Sequence, residues 1–309
     1  KVGLYIPGGT APLFSTVLML GIPAKIAGCK EVVLCSPPNK NGSIDSSILY
    51  SAKKIGIEKI FCVGGAQAIA AMAYGTETIP NVYKIFGPGN KYVTLAKQIL
   101  SKTKISIDMP AGPSELLIIA DETAIPEFVA ADLLSQAEHD YDSMVILVST
   151  SQMIIEQTIT QLELQIEKLP RKDIARNVIN NGYAILADSI DTSIDISNEY
   201  APEHLIIATK DALEQSKKVT NAGSVFIGNY STESLGDYAS GTNHTLPTYG
   251  FAKSYSGVTL ESFMKYISFQ YTDKNGIIKL GPAVEVMAEK ENLLAHKNAV
   301  TVRLNYLKK

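Results

Sequence analysis

Along the first third of the chain, short apolar runs alternate with stretches whose apolar residues recur every three or four positions. "VGLYIPGG" reads as a strand ending in a glycine turn, and "PLFSTVLMLGIPAKIAG" as a helix. "EVVLCSPP" (strand), "SILYSAKKIG" (helix), "KIFCVGG" (strand) and "AQAIAAMAYG" (a helix closed by Gly75) continue the alternation. "VYKIFGPGN" followed by "KYVTLAKQILSK" repeats the strand–glycine–helix theme. Strands separated by helices of this length predict βαβ units and a parallel sheet. After "IDMPAGPSE" a second series begins. It runs through the strand "LLIIAD", a helix from about Pro126, "MVILVST", the helix "QMIIEQTITQLELQIEKL", "GYAILAD", "HLIIAT", a helix near "DALEQSKKVTN", and "SVFIG". This predicts a second α/β unit, a duplicated architecture without a residue-level repeat. "NYSTESLGDYASGTNHTLPTYGFAKSYSG" then breaks the pattern. It is long, polar and rich in turn formers, which points to a functional loop. The tail, "GPAVEVMAEKENLLAHKNAVTVRL", is helical in pattern.

Composition narrows the picture. A length of 309 residues fits one large or two ordinary domains. With 46% hydrophobic and 19% charged residues the chain can bury a sizeable core. A net charge of -3 without a basic block argues against nucleic acid as a partner. The longest apolar stretch is interrupted by Pro23 and Lys25 and is too short to span a membrane. No signal peptide is visible. Cys29, Cys35 and Cys62 have no metal-type spacing and read as reduced core thiols of a cytoplasmic protein. The chain opens on Lys1, directly in a strand pattern, so a preceding N-terminal portion is expected.

In βαβ proteins ligands sit at the carboxyl ends of the strands, where helix N-termini attract phosphate. "PGGTAP", "VGGAQA" and "FGPGNK" are the turns that qualify. None is a GxGxxG, and no acidic residue follows at the ribose-binding distance. On spacing alone a nucleotide role and plain loop tightening are equal alternatives.

The four histidines stand in polar settings: His139 in "SQAEHD", His204 in "YAPEHL", His244 in "GTNHTLP" and His296 in "NLLAHKN". Each taken alone reads first as a solvated or hydrogen-bonded side chain. Gln136 and His139, three residues apart, would share one helix face. Two His with an Asp such as Asp237 suit a borderline ion like zinc, although a Gln oxygen is an uncommon ligand. Glu203 and His204 are neighbours and in an extended segment would point apart, unless Pro202 bends the chain.

Taken in order, "GLYIPGGTAPLFSTVLMLGIPAKIAGC", "FCVGGAQAIAAMAYGTETIPNVYKIFGPGNKYV", "IDMPAGPSELLIIAD", "LLSQAEHD", "APEHL", "AGSVFIG", "LGDYASGTNHTLPT" and "LLAHKNAVTVRL" resemble the histidinol dehydrogenase family over the whole chain. The resemblance implies an α/β fold of two Rossmann-like parallel-sheet domains of the incomplete type, plus a C-terminal helical tail. It implies an NAD-binding domain over 1–115, a second α/β domain carrying zinc and catalytic residues over 116–257, and a tail over 258–309 that contributes to the partner subunit's site. It implies zinc, one per subunit, held by Gln136, His139, Asp237 and His296. The acid–base pair would be Glu203 and His204. Substrate contacts would be Ser114, Gln136, His139, His204, Asp237, Glu291 and His296, and NAD contacts Tyr5, Gln67 and Asn90. His244 would lie near the substrate without a catalytic role.

The implied activity is a zinc-dependent, NAD-linked, two-step oxidation of L-histidinol through L-histidinaldehyde to L-histidine, the last steps of histidine biosynthesis. The implied assembly is a cytoplasmic homodimer with shared active sites. Family members carry roughly a hundred further residues, one domain-sized piece, ahead of this start. Two alternatives stand beside this reading. One is a related zinc and NAD dehydrogenase of another amino alcohol, and the other is a shortened, inactive chain that acts only as a binding module.

Overall fold

The computed structural model describes residues 1–8 and 12–309. Part of the "PGGTAP" turn, Gly9 to Ala11, lies outside the described residues. The chain divides into two compact units, Lys1–Met264 and Lys265–Lys309, treated separately below.

The first unit contains two parallel sheets. The first is built from β1 (Val2–Tyr5), α1 (Phe14–Ile26), β2 (Val32–Ser36), α2 (Ser46–Lys54), β3 (Lys59–Cys62), α3 (Gly65–Tyr74), β4 (Lys84–Phe86), α4 (Lys91–Ser101) and β5 (Ser106–Ile107), in strand order β3-β2-β1-β4-β5. The second follows from β6 (Glu115–Ala120), α5 (Pro126–Ala137), β7 (Met144–Ser149), α6 (Gln152–Ile166), α7 (Lys172–Asn181), β8 (Tyr183–Leu186), α8 (Ile190–Tyr200), β9 (His204–Ala208), α9 (Ala212–Ser216) and β10 (Ser224–Ile227), in strand order β10-β9-β6-β7-β8. These are the two α/β units the patterning predicts, with the two Rossmann-like parallel sheets that the resemblance implies. β5 is only two residues long, and α7 and α8 are two short helices that the patterning did not include.

Every residue of β2, β6 and β9 is buried, as expected of central parallel strands covered on both faces. Alternate residues feed opposite cores. Leu116, Ile118 and Ala120 pack with α5 and α6, while Leu117 and Ile119 pack with Ile194 of α8. In the first sheet Leu4 and Leu34 face α1 and α2, while Val33 and Cys35 face α3. Of the cysteines only Cys35 is a core residue. Cys29 is half-buried and Cys62 exposed, because Cys62 ends the edge strand β3.

The polar segment after β10 is not all loop. It contains α10 (Glu233–Tyr238), which begins with an acidic residue and is too short to show a helical apolar period. Asn243 then donates from Nδ2 to the Met19 carbonyl of α1 at 2.8 Å, and His244 Nε2 lies 3.1 Å from Thr16 Oγ1. These bonds tie the segment to the first sheet's helix layer.

The second unit holds α11 (Lys274–Lys290) and α12 (Leu294–Tyr306), which pack on each other. The tail is thus two helices, broken at Asn292, which adopts a left-handed φ of 58°. Among the described residues no helix is long and apolar enough to cross a membrane.

Gly87 marks the tightest point of the first sheet. Its φ is 121°, and a Cβ there would lie 2.0 Å from the Tyr5 carbonyl oxygen. Both the backbone conformation and the space therefore demand glycine. Gly87→Ala should lower unfolding free energy by more than about 2 kcal/mol, the combined cost of an unfavourable φ and overpacking against backbone. Denaturant titration checks this; a midpoint equal to the parent's would contradict it.

Candidate functional site

Two strand edges face the candidate chemistry. In the first sheet β1 and β4 are neighbours at the point where strand order reverses, the place where open α/β sheets bind ligands. Tyr5 ends β1, and its buried hydroxyl accepts a hydrogen bond from the Gly65 N–H at 3.0 Å. Burial raises the Tyr5 pKa above its ordinary value. Gln67 sits exposed in the first turn of α3. Asn90 caps α4, its Oδ1 accepting from the N–H groups of Tyr92 and Val93 at 3.1 and 3.2 Å. A ligand contact from Asn90 would therefore use Nδ2. The turns carrying Tyr5, Gln67 and Asn90 converge on one carboxyl edge, with two helix N-termini beside it.

The second cluster lies at the amino edge of the second sheet, opposite to the rule for parallel sheets. Ser114 precedes β6, and His204 is the first residue of β9, paired with Leu116. Residues 108–114 alone link β5 to β6, so the carboxyl edge of the first sheet lies within one short span of this amino edge.

Glu203 and His204 converge rather than diverge. The left-handed Ala201 (φ 56°) turns the chain just before Pro202. Glu203 Oε2 accepts the Glu115 N–H at 2.9 Å and lies 3.5 Å from His204 Nδ1. His204 Nδ1 is also 3.2 Å from the Glu115 carbonyl oxygen. A carbonyl only accepts, so Nδ1 carries the proton and Nε2 keeps its lone pair. That Nε2 is buried and has no protein partner. Burial pulls the His204 pKa down to about 3, so the ring is neutral near pH 7. Burial pushes Glu203 well above the usual carboxylate range, with Glu115 and Asp237 adding repulsion.

Gln136 and His139 do not share a helix. α5 stops at Ala137, and His139 follows on a turn whose N–H reaches the Gln136 carbonyl at 3.3 Å. Gln136 is fully buried, and neither atom of its amide has a hydrogen-bond partner, an expensive arrangement in a dry interior. His139 keeps an exposed edge although protein crowds its ring, and that crowding lowers its pKa, helped by Arg171 and His244.

One donor atom from each of His139, Glu233 and Asp237 lies within 4.8 Å of the others. Glu233 is a residue that sequence reasoning missed. It stands four positions before Asp237, so α10 sets both carboxylates on one face; that spacing was readable once "ESLGDY" is taken as a helix. Glu233 Oε1 is 3.9 Å from His204 Nδ1, and its Oε2 is buried without a partner. Burial raises Glu233 well above its ordinary pKa and Asp237 to about 6. The set of imidazole nitrogen and carboxylate oxygens suits a divalent ion such as zinc, and the orphaned Gln136 amide lies three positions before His139 in the chain.

His244 has both ring nitrogens engaged, Nδ1 with the Asp237 carbonyl oxygen at 3.1 Å and Nε2 with Thr16, so it braces α10. Glu291 ends α11 and His296 lies in the first turn of α12, both exposed in the second unit.

Comparison with known proteins gives a consistent result. A family model described as histidinol dehydrogenase matches residues 1–304. The histidinol dehydrogenase of Bacteroides fragilis (strain YCH46) is 61% identical over 309 residues, covering 100% of this chain and 72% of the relative. The chloroplastic histidinol dehydrogenase of Arabidopsis thaliana is 56% identical over 98% of this chain and 66% of its own. The crystal structure of histidinol dehydrogenase from Elizabethkingia anophelis superposes with a TM-score of 0.97 at 60% identity, covering 100% of this chain and 71% of that one.

Glu115 provides a test of the site's electrostatics. Its side chain is buried, Oε1 accepts the Tyr249 N–H at 3.0 Å, and burial raises its pKa to about 7. The folded state thus holds this proton more tightly than the unfolded chain. Its stabilising contribution is full below the ordinary carboxylate pKa and is lost as pH rises through about 7. Glu115→Gln keeps an acceptor for Tyr249. The parent should lose about 2–3 kcal/mol more stability than this variant between pH 4.5 and 8. Parallel stability curves over that range would refute the assignment.

Proposed function

The chain belongs to the histidinol dehydrogenase family, and from that premise we propose that it oxidises L-histidinol through L-histidinaldehyde to L-histidine in two NAD-linked steps at a zinc site. The single observation that carries this reading is the buried His204, its Nδ1 tied to a carbonyl and its Nε2 left without a partner beside Glu203 and the His139–Glu233–Asp237 group. The first domain, over 1–115, would take NAD on Tyr5, Gln67 and Asn90. The second, over 116–257, would hold the metal and the reacting atoms, and residues 258–309 would complete the site of a partner subunit.

Gln136, His139 and Asp237, with His296 of a second copy, would hold the zinc. The ion would supply a template that orients the substrate, and NAD would supply the hydride acceptor. His204 Nε2 takes the hydroxyl proton as the carbinol carbon is oxidised. Neutrality enforced by burial keeps that lone pair available. Ser114, Gln136 and Asp237, with Glu291 of a second copy, would orient the substrate. Glu203 then helps activate water on the retained aldehyde, and His204 accepts a proton again in the second oxidation. A closed polar cluster retains the aldehyde and limits side reactions.

The purified protein, supplied with zinc, NAD and histidinol, should form two NADH per histidinol consumed. One NADH would point to a simple alcohol dehydrogenase, and none would remove the reading. His204→Asn should keep zinc and substrate binding but lose turnover by about 10²–10⁴-fold, the range for general base removal; retained turnover would take the base role from His204. His139→Ala should lose tight zinc binding, and full zinc occupancy by metal analysis would sink its place among the ligands.

A further inference from the structure

We propose that the buried ion pair Lys97–Asp108 is the positioning device of the glycine turn at residues 86–90, and thereby sets the affinity of the first sheet's carboxyl edge for NAD without touching the cofactor. This rests on the reading that this edge binds NAD. The Lys97 and Asp108 side chains are 4% and 1% exposed, with Nζ and Oδ1 2.5 Å apart. Lys97 Nζ also donates to the Gly87 carbonyl oxygen at 2.8 Å, and the Gly87 N–H donates to Asp108 Oδ2 at 2.7 Å. The Met109 N–H binds Asp108 Oδ1 at 2.8 Å. Both backbone groups of one glycine are therefore gripped by the two ends of one ion pair.

Among the described residues no other hydrogen bond holds the backbone of that glycine. β4 ends at Phe86, so no ladder bond fixes Gly87, and its φ of 121° is one that the chain would leave if released. It also packs on the Tyr5 backbone, so its placement sets the gap between the β1 and β4 turns. Lys97 lies in the second turn of α4, whose N-cap is Asn90, so the pair locks the helix N-terminus to the strand end. Thr94 Oγ1 adds a second tether to the Ala111 carbonyl oxygen at 2.6 Å.

Stability alone does not account for such a pair. Buried ion pairs replaced by apolar residues of similar volume commonly leave stability unchanged or raised, whereas removing one partner leaves a buried charge without compensation. What apolar side chains cannot supply is a directional grip on a glycine N–H and carbonyl.

The test uses the double variant Lys97→Met/Asp108→Leu in the full chain with zinc. We expect it to fold, with KM for NAD and the calorimetric Kd for NADH raised at least tenfold. The kcat at saturating NAD should stay within threefold, with KM for histidinol and zinc affinity unchanged. Hydrogen exchange over residues 84–92 should quicken. Unchanged NAD affinity, or a parallel fall of every parameter, would overturn the proposal. Asp108→Asn keeps an acceptor for the Gly87 N–H while giving up the charge; if the double variant is insoluble it carries the same test, with a threefold or greater rise expected. Gln67→Ala, run alongside, separates the two levels. If it raises the Kd while the pair variants do not, the proposal alone fails; if neither moves, the cofactor site lies elsewhere and both fail.

Discussion

The connection at residues 108–114 is the constraint on which the rest of the first unit depends. It joins the last strand of one parallel sheet to the first strand of the other. Its start, Asp108, grips the Gly87 turn, and it ends at Ser114, beside the backbone N–H that Glu203 accepts. Midway, the Gly112 N–H donates to Thr248 Oγ1 at 2.6 Å and so fastens the polar segment after α10. Because so few residues span the gap, a carboxyl edge and an amino edge are forced to be neighbours. Under the proposed function a hydride donor and acceptor would have to come within contact distance, and this connection limits how far apart the two edges can lie.

The amino-edge cluster is built on burial. Glu203, Glu233 and Glu115 all lie in the interior, and each carboxyl is pushed upward chiefly by loss of water. The same loss of water holds His204 neutral. Groups shifted in opposite directions within one cluster are a feature of sites that move protons. The unpartnered atoms of Gln136, His204 and Glu233 point the same way, since buried polar atoms without partners are rare where only folding is at stake.

Much of the fold was legible along the chain. The apolar runs of β1, β2, β6, β7 and β9 are short and nearly unbroken, and all but β7 have a glycine or proline close to one end, which marks buried parallel strands. α7 went unread although Ile174, Ala175, Val178 and Ile179 recur at helical spacing, α8 carries few apolar residues, and β5 is too short to leave a signal. In the site, His139 and Asp237 stood out by residue type, and the structure brings them within ligand distance of each other. Glu233 was concealed inside a segment read as loop, since α10 is only six residues long.

By itself the sequence determined the alternation of strands and helices, the glycine turns at strand ends, and the family to which the chain belongs. These follow from local periodicity, backbone sterics and a run of ordered motifs. Only the tertiary structure decided that Glu203 and His204 face the same way, that His204 leaves Nε2 and not Nδ1 without a partner, and that the candidate cluster sits on an amino edge. Each depends on a contact between residues far apart in the chain, such as Glu203 with Glu115 or His244 with Thr16. Neighbouring positions carry no imprint of such contacts, because the partner is set by the crossing of strands and not by spacing along the chain.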